Sequence, residues 1–249
     1  MRIVITGATG RMGRELIDAA HDHEVFGVSH SSTGEYGGVD IEPASELPSV
    51  LEESDPDAVI DFTLPEPSVS YVADCAEAGV PAVVGTTGFS DEQLAALCDA
   101  SERTPVLKAA NFSRGVQALL AVVQEAVTAL PEYDIEVTET HHNNKQDAPS
   151  GTANRVLDAI AESRGDSPHV HGREGEAPRE NGEIGVHARR AGDITGEHEV
   201  LLADNHEELR LTHRAGSRGV FAAGAIEAAQ WLTGRSPGWY DFSDTLSDS

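Results

Sequence analysis

Over the first hundred or so residues the apolar positions fall into short continuous runs separated by helical stripes. RIVIT at 2–6 predicts a first strand, and after the turn GATGRMG the residues Met12, Leu16, Ala19 and Ala20 share one helical face. EVFGVS predicts a second strand, and the stretch 31–43 reads as irregular and Gly-rich. DAVIDFT, PAVVGTT and TPVLKAA predict further strands, with helices at 67–78 and 91–102 between them. Strands that are apolar along their whole length are buried on both faces, and their alternation with helices implies parallel pairing under helical cover. The expected class here is α/β, a Rossmann-like doubly wound parallel sheet.

The pattern changes past about residue 111. A helix at 114–129 leads into YDIEVTETHH, where Ile135 and Val137 alternate with acids as on a half-exposed strand. A second helix at 152–164 carries Ala153, Val156, Leu157, Ile160 and Ala161 on its stripe. A polar loop over 165–183 precedes strand-like runs near 184–190, 197–203 and 207–214. This predicts an α+β domain with an open mixed sheet. The apolar closing helix GVFAAGAIEAAQWL is expected to return to the first domain, giving one domain of 1–110 completed by 218–249 and another of 111–217.

At 249 residues and 39% hydrophobic content the chain can build one large or two modest cores. No window approaches the roughly 18 apolar residues of a membrane span, so the expectation is a cytoplasmic protein without a membrane partner. Cys75 and Cys98 lack CxxC spacing and are expected to be buried thiols, in neither a disulfide nor a zinc site. The charge is more telling: 43 acidic residues against 17 basic ones give a net of -26, and Lys108 and Lys145 are the only lysines. Such self-repulsion suits a cytoplasm at molar salt, where at about 1 M the screening length is roughly 3 Å. The expectation is a halophile's protein, and no basic stripe exists for a nucleic-acid partner.

Chemistry enters at the glycine turns. Gly7, Ala8, Thr9, Gly10, Arg11, Met12 and Gly13 join the first strand to its helix, where backbone N–H groups and the helix N-terminus can meet a pyrophosphate. Arg11 and Arg14 are either phosphate contacts or solvated charges. The acid that holds the ribose of NAD at the end of a second strand is missing, its place taken by Ser29, His30, Ser31 and Ser32, which leans the cofactor toward NADPH. Gly85, Thr86, Thr87 and Gly88 follow a later strand and are placed to line the nicotinamide side; Ala110, Asn111, Phe112 and Ser113 hold the equivalent place after the next. In ETHHNNKQDAPSGTANRVLDAI, His141 and His142 have no HExxH or further ligand cluster around them, so no metal site is expected. PSGTA opens a helix whose free N–H groups, with the Ser150 and Thr152 hydroxyls, make a carboxylate cradle beside Lys145. A cation and a proton-exchanging imidazole beside an anion cradle suit a site that binds a carboxylate and protonates something attached to it.

HHNNKQDAPSGTA, together with GATGRMG, VIDFT, VVGTTG, AANFS and SRGVFAAGA, resembles the dihydrodipicolinate (4-hydroxy-tetrahydrodipicolinate) reductase family of lysine biosynthesis, from the first strand to about Trp231. The resemblance implies an N-terminal dinucleotide-binding domain and a C-terminal domain for substrate binding and assembly into a homotetramer. It implies His141 as proton donor or acceptor and Lys145 as proton donor, with His142, Ser150, Gly151, Thr152 and Thr87 around a small dicarboxylate. NADPH or NADH would lie on the turn at 7–13, on Gly85 to Thr87 and on Ala110 to Ser113, and hydride would pass to C4 of a cyclic imine acid. Many members carry an acid, often followed by arginine, where this chain has His30 and Ser31. Short-chain dehydrogenases share ITGATG but need a lysine four residues after a tyrosine, and here the four tyrosines are followed at that spacing by Asp40, Cys75, Val137 and Asp244. A non-catalytic dinucleotide sensor is the remaining alternative, although it has no need of His141 and Lys145.

Overall fold

A computed structural model describes residues 1–247 as two compact units. The first comprises Met1–Phe112 and the chain from Arg218 onward; the second is Ser113–Ser217.

In chain order the first unit contains β1 (Arg2–Thr6), α1 (Arg11–Ala19), β2 (Glu24–Ser29), β3 (Gly34–Tyr36), β4 (Val39–Pro43), α2 (Leu47–Ser54), β5 (Ala58–Asp61) and α3 (Pro65–Ala78). It continues with β6 (Ala82–Val84), α4 (Asp91–Ser101) and β7 (Pro105–Lys108). Its sheet runs β13-β7-β6-β5-β1-β2-β4-β3, where β13 is Gly238–Tyr240 near the end of the chain. Every pair is parallel except the β3–β4 hairpin.

The strands divide their apolar residues between two layers, as a period of two requires. Ile3, Ile5, Ile60, Val83 and Leu107 face α1 and the helix Gly219–Leu232, which packs through Ala222, Ala225, Ala228 and Ala229. Val4, Val59, Val84 and Val106 face α2, α3 and α4. The closing helix therefore joins the first unit. The β3–β4 hairpin replaces the irregular segment expected over 31–43, and α2 follows it without having been expected; strands of three and five residues with exposed polar positions and an eight-residue helix carry too little periodicity to be read. The cysteine expectation needs correction. Cys75 is fully buried, and burial pushes its thiol up, but Cys98 is exposed because the adjacent Leu97 takes the inward position on α4.

The second unit holds α5 (Arg114–Ala129), β8 (Asp134–His141), α6 (Gly151–Arg164), β9 (His169–His171), β10 (Ile184–Arg190), β11 (Gly196–Asp204) and β12 (Glu207–Ala215). Its sheet runs β12-β11-β8-β10-β9, with β8, β9 and β10 parallel and β11 antiparallel to both neighbours. Leu119, Val123, Val156 and Ile160 of the helices pack on Ile135, Val137, Ile184, Val186, Val200 and Leu202. The opposite face presents half-buried Glu136, Thr138, Glu199 and Leu201. The polar 165–183 segment is tied to this sheet: Arg179 Nε lies 2.9 Å from Asp134 Oδ1, its guanidinium also bonds Glu136, and Arg173 pairs with Glu183. After Gly219–Leu232, which is α7, and β13, a short α8 (Asp244–Ser247) ends the described chain.

Candidate active site

In the first unit, a cavity of about 950 Å³ opens at the C-terminal ends of the strands. Gly7, Thr9 and Gly10 line it with Ser29, His30 and Ser31. Gly7 has φ +64, and a side chain on Gly13 would bring a Cβ to 2.3 Å from the Gly7 carbonyl oxygen, so the two glycines let α1 start hard against the strand. Ala8 N–H donates to Val28 at 3.1 Å and Gly10 N–H to Gly7 at 2.8 Å, which closes the turn. The N-cap, Gly10, makes no side-chain cap bond, and no acid lies in the first turn, so the helix itself sets no carboxylate against its positive end, while Glu66 and Asp74 also line the cavity. These residues fit a dinucleotide pyrophosphate. Arg14 has other work, donating to Thr9 O at 3.2 Å and lying 5.0 Å over the Tyr36 ring, whereas Arg11 is exposed.

Thr9 Oγ1 and Ser29 Oγ are 2.6 Å apart, linking the turn to the end of β2, and His30 and Ser31 are exposed beside them. Gly85 and Thr87 follow β6, and Ala110 and Asn111 follow β7, so the parallel order sets them in the same row of strand ends. Thr86 is buried: its hydroxyl donates to Asp61 at 2.7 Å and accepts Thr63 N–H at 2.8 Å. Asp61, which the motif reading left without a role, also accepts the Thr6 and Thr63 hydroxyls, both at 2.6 Å. Phe112 belongs to the core through its rings' contacts with Phe62 and Phe242, and Ser113 caps α5 by accepting Val116 N–H at 3.3 Å.

In the second unit, the alternation of β8 puts Glu139 and His141 on one face. The Glu139 carboxylate is fully buried and accepts two bonds from Arg190 at 2.8 Å each and Ser150 N–H at 3.2 Å; His141 Nδ1 lies 2.5 Å away. Burial alone would raise the Glu139 carboxyl, but donors from Arg190 and His141 outweigh it and hold it below the ordinary range. Burial lowers His141, and the charges of Lys145 and Arg190 add to this against the opposing pull of Glu139, so the neutral imidazole is favoured. Lys145 Nζ sits 2.9 Å from Asp147, whose backbone carbonyl accepts Arg190 at 2.6 Å. One arginine therefore braces both the imidazole's partner and the loop carrying the ammonium.

Helix α6 begins behind this cluster, with no acid in its first turn. The Ser150 hydroxyl departs from the expected free cradle group: it is buried, accepts Ala153 N–H at 3.1 Å and lies 3.1 Å from His198 Nε2. Gly151 is exposed and Thr152 half-buried at the helix start, with Pro149 entering through a cis peptide bond, and His142 is half-buried. His198 sits opposite Glu139 in the β8–β11 register, its ring 5.2 Å from that of His141. Burial, helped by His141, pushes it down to about 4. Glu139 was legible two residues before His141 on one strand face; Arg190 and His198 come from distant strands and carried no local signal. An ammonium, a neutral imidazole and a helix N-terminus together can hold an anion and exchange protons with it.

Comparison with known proteins gives concordant matches. The family described as Dihydrodipicolinate reductase, N-terminus matches residues 1–112, and Dihydrodipicolinate reductase, C-terminus matches 115–246. A Natronomonas pharaonis protein named 4-hydroxy-tetrahydrodipicolinate reductase is 58% identical over 99% of this chain and 100% of its own. One of the same name from Haloarcula marismortui is 54% identical over 98% of each. Among solved structures, a dipicolinate-bound dihydrodipicolinate reductase from Paenisporosarcina sp. TG-14 superposes with a TM-score of 0.81 at 24% identity, covering 98% of both chains. An amine dehydrogenase from Mycobacterium smegmatis shares the fold at a TM-score of 0.65 and 14% identity, over 98% of this chain and 95% of its own.

Proposed function

Because the chain belongs to the dihydrodipicolinate reductase family, we propose that it is a 4-hydroxy-tetrahydrodipicolinate reductase, reducing a cyclic imine dicarboxylate in the diaminopimelate route to lysine. The observation that carries this reading is the cluster of His141, Lys145 and the N-terminus of α6 in the second unit. When bound, NADPH or NADH supplies the hydride that is added at C4 of the substrate. The open end of α1 and Gly10 hold its phosphates, and Thr9, His30 and Ser31 take the ribose side. The Gly151 and Thr152 end of α6 holds a substrate carboxylate with His142, and Lys145 gives the proton that completes reduction. No acid stands at the end of β2 to repel a 2′-phosphate, which supports use of NADPH.

The net charge of -26 and the close likeness to proteins of Natronomonas and Haloarcula support a cytoplasm at high salt as its setting. The face of the five-stranded sheet away from α5 and α6 supports assembly into a homotetramer through the second unit. The test is oxidation of NADPH and NADH in about 2 M KCl, where charges are well screened, with substrate generated in place from pyruvate and aspartate semialdehyde by the preceding enzyme. Substrate-dependent oxidation is expected. Its absence from a folded sample would leave a dinucleotide-binding sensor.

A further inference from the structure

We propose that Glu139 is a positioning residue that fixes His141 as the Nδ1–H tautomer, so that the Nε2 lone pair, kept open by Gly196, accepts a hydrogen bond from bound substrate while Lys145 gives the one proton that completes reduction. The inference rests on the functional reading above and assigns His141 the hydrogen-bond-acceptor side of a choice that its sequence left open.

Four nitrogen atoms surround the Glu139 carboxylate. Glu139 Oε1 takes Arg190 Nη2 and Ser150 N–H, and Oε2 takes Arg190 Nη1 and His141 Nδ1. Guanidinium and backbone N–H groups can only donate, so the carboxylate is the acceptor throughout, and with Nδ1 at 2.5 Å the remaining contact is a bond donated by the ring. A neutral imidazole with its proton on Nδ1 has none on Nε2. The Nε2 side of the ring passes over Gly196 at the start of β11, where an added Cβ would stand 3.1 Å from Nε2 and 3.4 Å from Cδ2. Any larger residue at 196 would cover the atom that must stay accessible.

The charged and titratable groups facing His141 agree. Glu139 lies on its own strand, Arg190 on β10, His198 on β11, and Lys145 with its partner Asp147 on the following loop. Burial, Lys145 and Arg190 favour the neutral ring, and His198 is itself neutral well below pH 7. With its Nδ1–H committed to Glu139 and Nε2 bare, the ring has no proton to give, which leaves the ammonium of Lys145. The ionised Glu139 holds the ring in this orientation, as in other carboxylate-oriented histidines.

The direct test uses the wild-type protein. Nitrogen-15 imidazole spectra at pH 7 in high salt, with His141 assigned by its loss in His141→Gln, are expected to show Nδ1 protonated and Nε2 bare; a protonated Nε2 overturns the proposal. Gly196→Ala is expected to lower kcat/KM by roughly tenfold, the scale of one lost hydrogen bond, while nucleotide affinity and circular dichroism stay unchanged; undiminished kcat/KM overturns it. Glu139→Gln is expected to move the His141 titration to lower pH, and an unmoved titration overturns it. If that buried variant fails to fold, the wild-type spectrum and Gly196→Ala still decide. Turnover with a protonated Nε2 would sink this inference alone. A protonated Nδ1 without turnover would sink the reductase reading and leave the tautomer standing.

Discussion

Replacing Ser150 with alanine removes two things at once, and the structure allows them to be separated. The hydroxyl accepts Ala153 N–H at 3.1 Å as the N-cap of α6, an interaction whose loss typically costs about 1 kcal/mol. It also partners His198 Nε2 at 3.1 Å inside the protein, and a buried polar atom stripped of its partner costs about 1–3 kcal/mol. The expected loss is therefore about 2–4 kcal/mol, a large share of the roughly 5–15 kcal/mol that holds a domain folded. Ser90 is the internal control. It caps α4 through Gln93 N–H at 3.3 Å in a capping box, but it is exposed, and its hydroxyl has no imidazole behind it. Ser90→Ala should cost only about 1 kcal/mol. Denaturant unfolding of both variants in about 2 M KCl, a level chosen for screening and followed by circular dichroism, gives the comparison. Equal losses would refute the claim that the Ser150–His198 contact carries energy beyond capping.

Activity is expected to rise steeply with KCl, because both ligands are anions and the chain carries -26, while the screening length falls from about 10 Å at 0.1 M to about 3 Å at 1 M; a flat response at constant circular dichroism would refute this. His198, lowered from 6.5 to about 4 in the folded protein, binds protons more readily when unfolded, so its contribution is present above about pH 6.5 and lost as pH falls toward 4. The denaturant midpoint should therefore drop between pH 7 and 5, and His198→Asn should flatten that drop; an equal slope in the variant would show that another group drives it. His30→Asp places a carboxylate at the end of β2, and the ratio of NADPH to NADH efficiency should fall by about tenfold, the effect of some 1.4 kcal/mol. An unchanged ratio would mean that the ribose is read elsewhere.

The strongly periodic elements were legible because their residues repeat at the spacing of their secondary structure. Ile3, Val4 and Ile5 announced a strand buried on both faces, and Val156 and Ile160 announced a helix packed on a sheet. Elements such as β13 and the β3–β4 hairpin were not legible, since strands of three to five residues contain little or no period and their stability comes from the neighbouring strand. The same division holds at the candidate site. His141, Lys145 and the α6 N-terminus stand within one stretch of chain and could be grouped from spacing alone. Asp61, Arg190 and His198 act through partners 25, 51 and 48 residues away, a proximity created only by folding.

The return of α7 and β13 to the first unit means that the second unit is an insertion, continuous in sequence, within a unit whose own chain is split. During synthesis from the N-terminus, Ser113–Ser217 is complete before the first unit has received its closing helix. Until then Ile60, Val83, Leu107 and Phe112 lack the cover that Ala222, Ala225 and Ala229 later give them. The nascent protein must therefore carry a half-clad parallel sheet through the making of about a hundred residues, and a chain stopped before Arg218 would keep that apolar face bare.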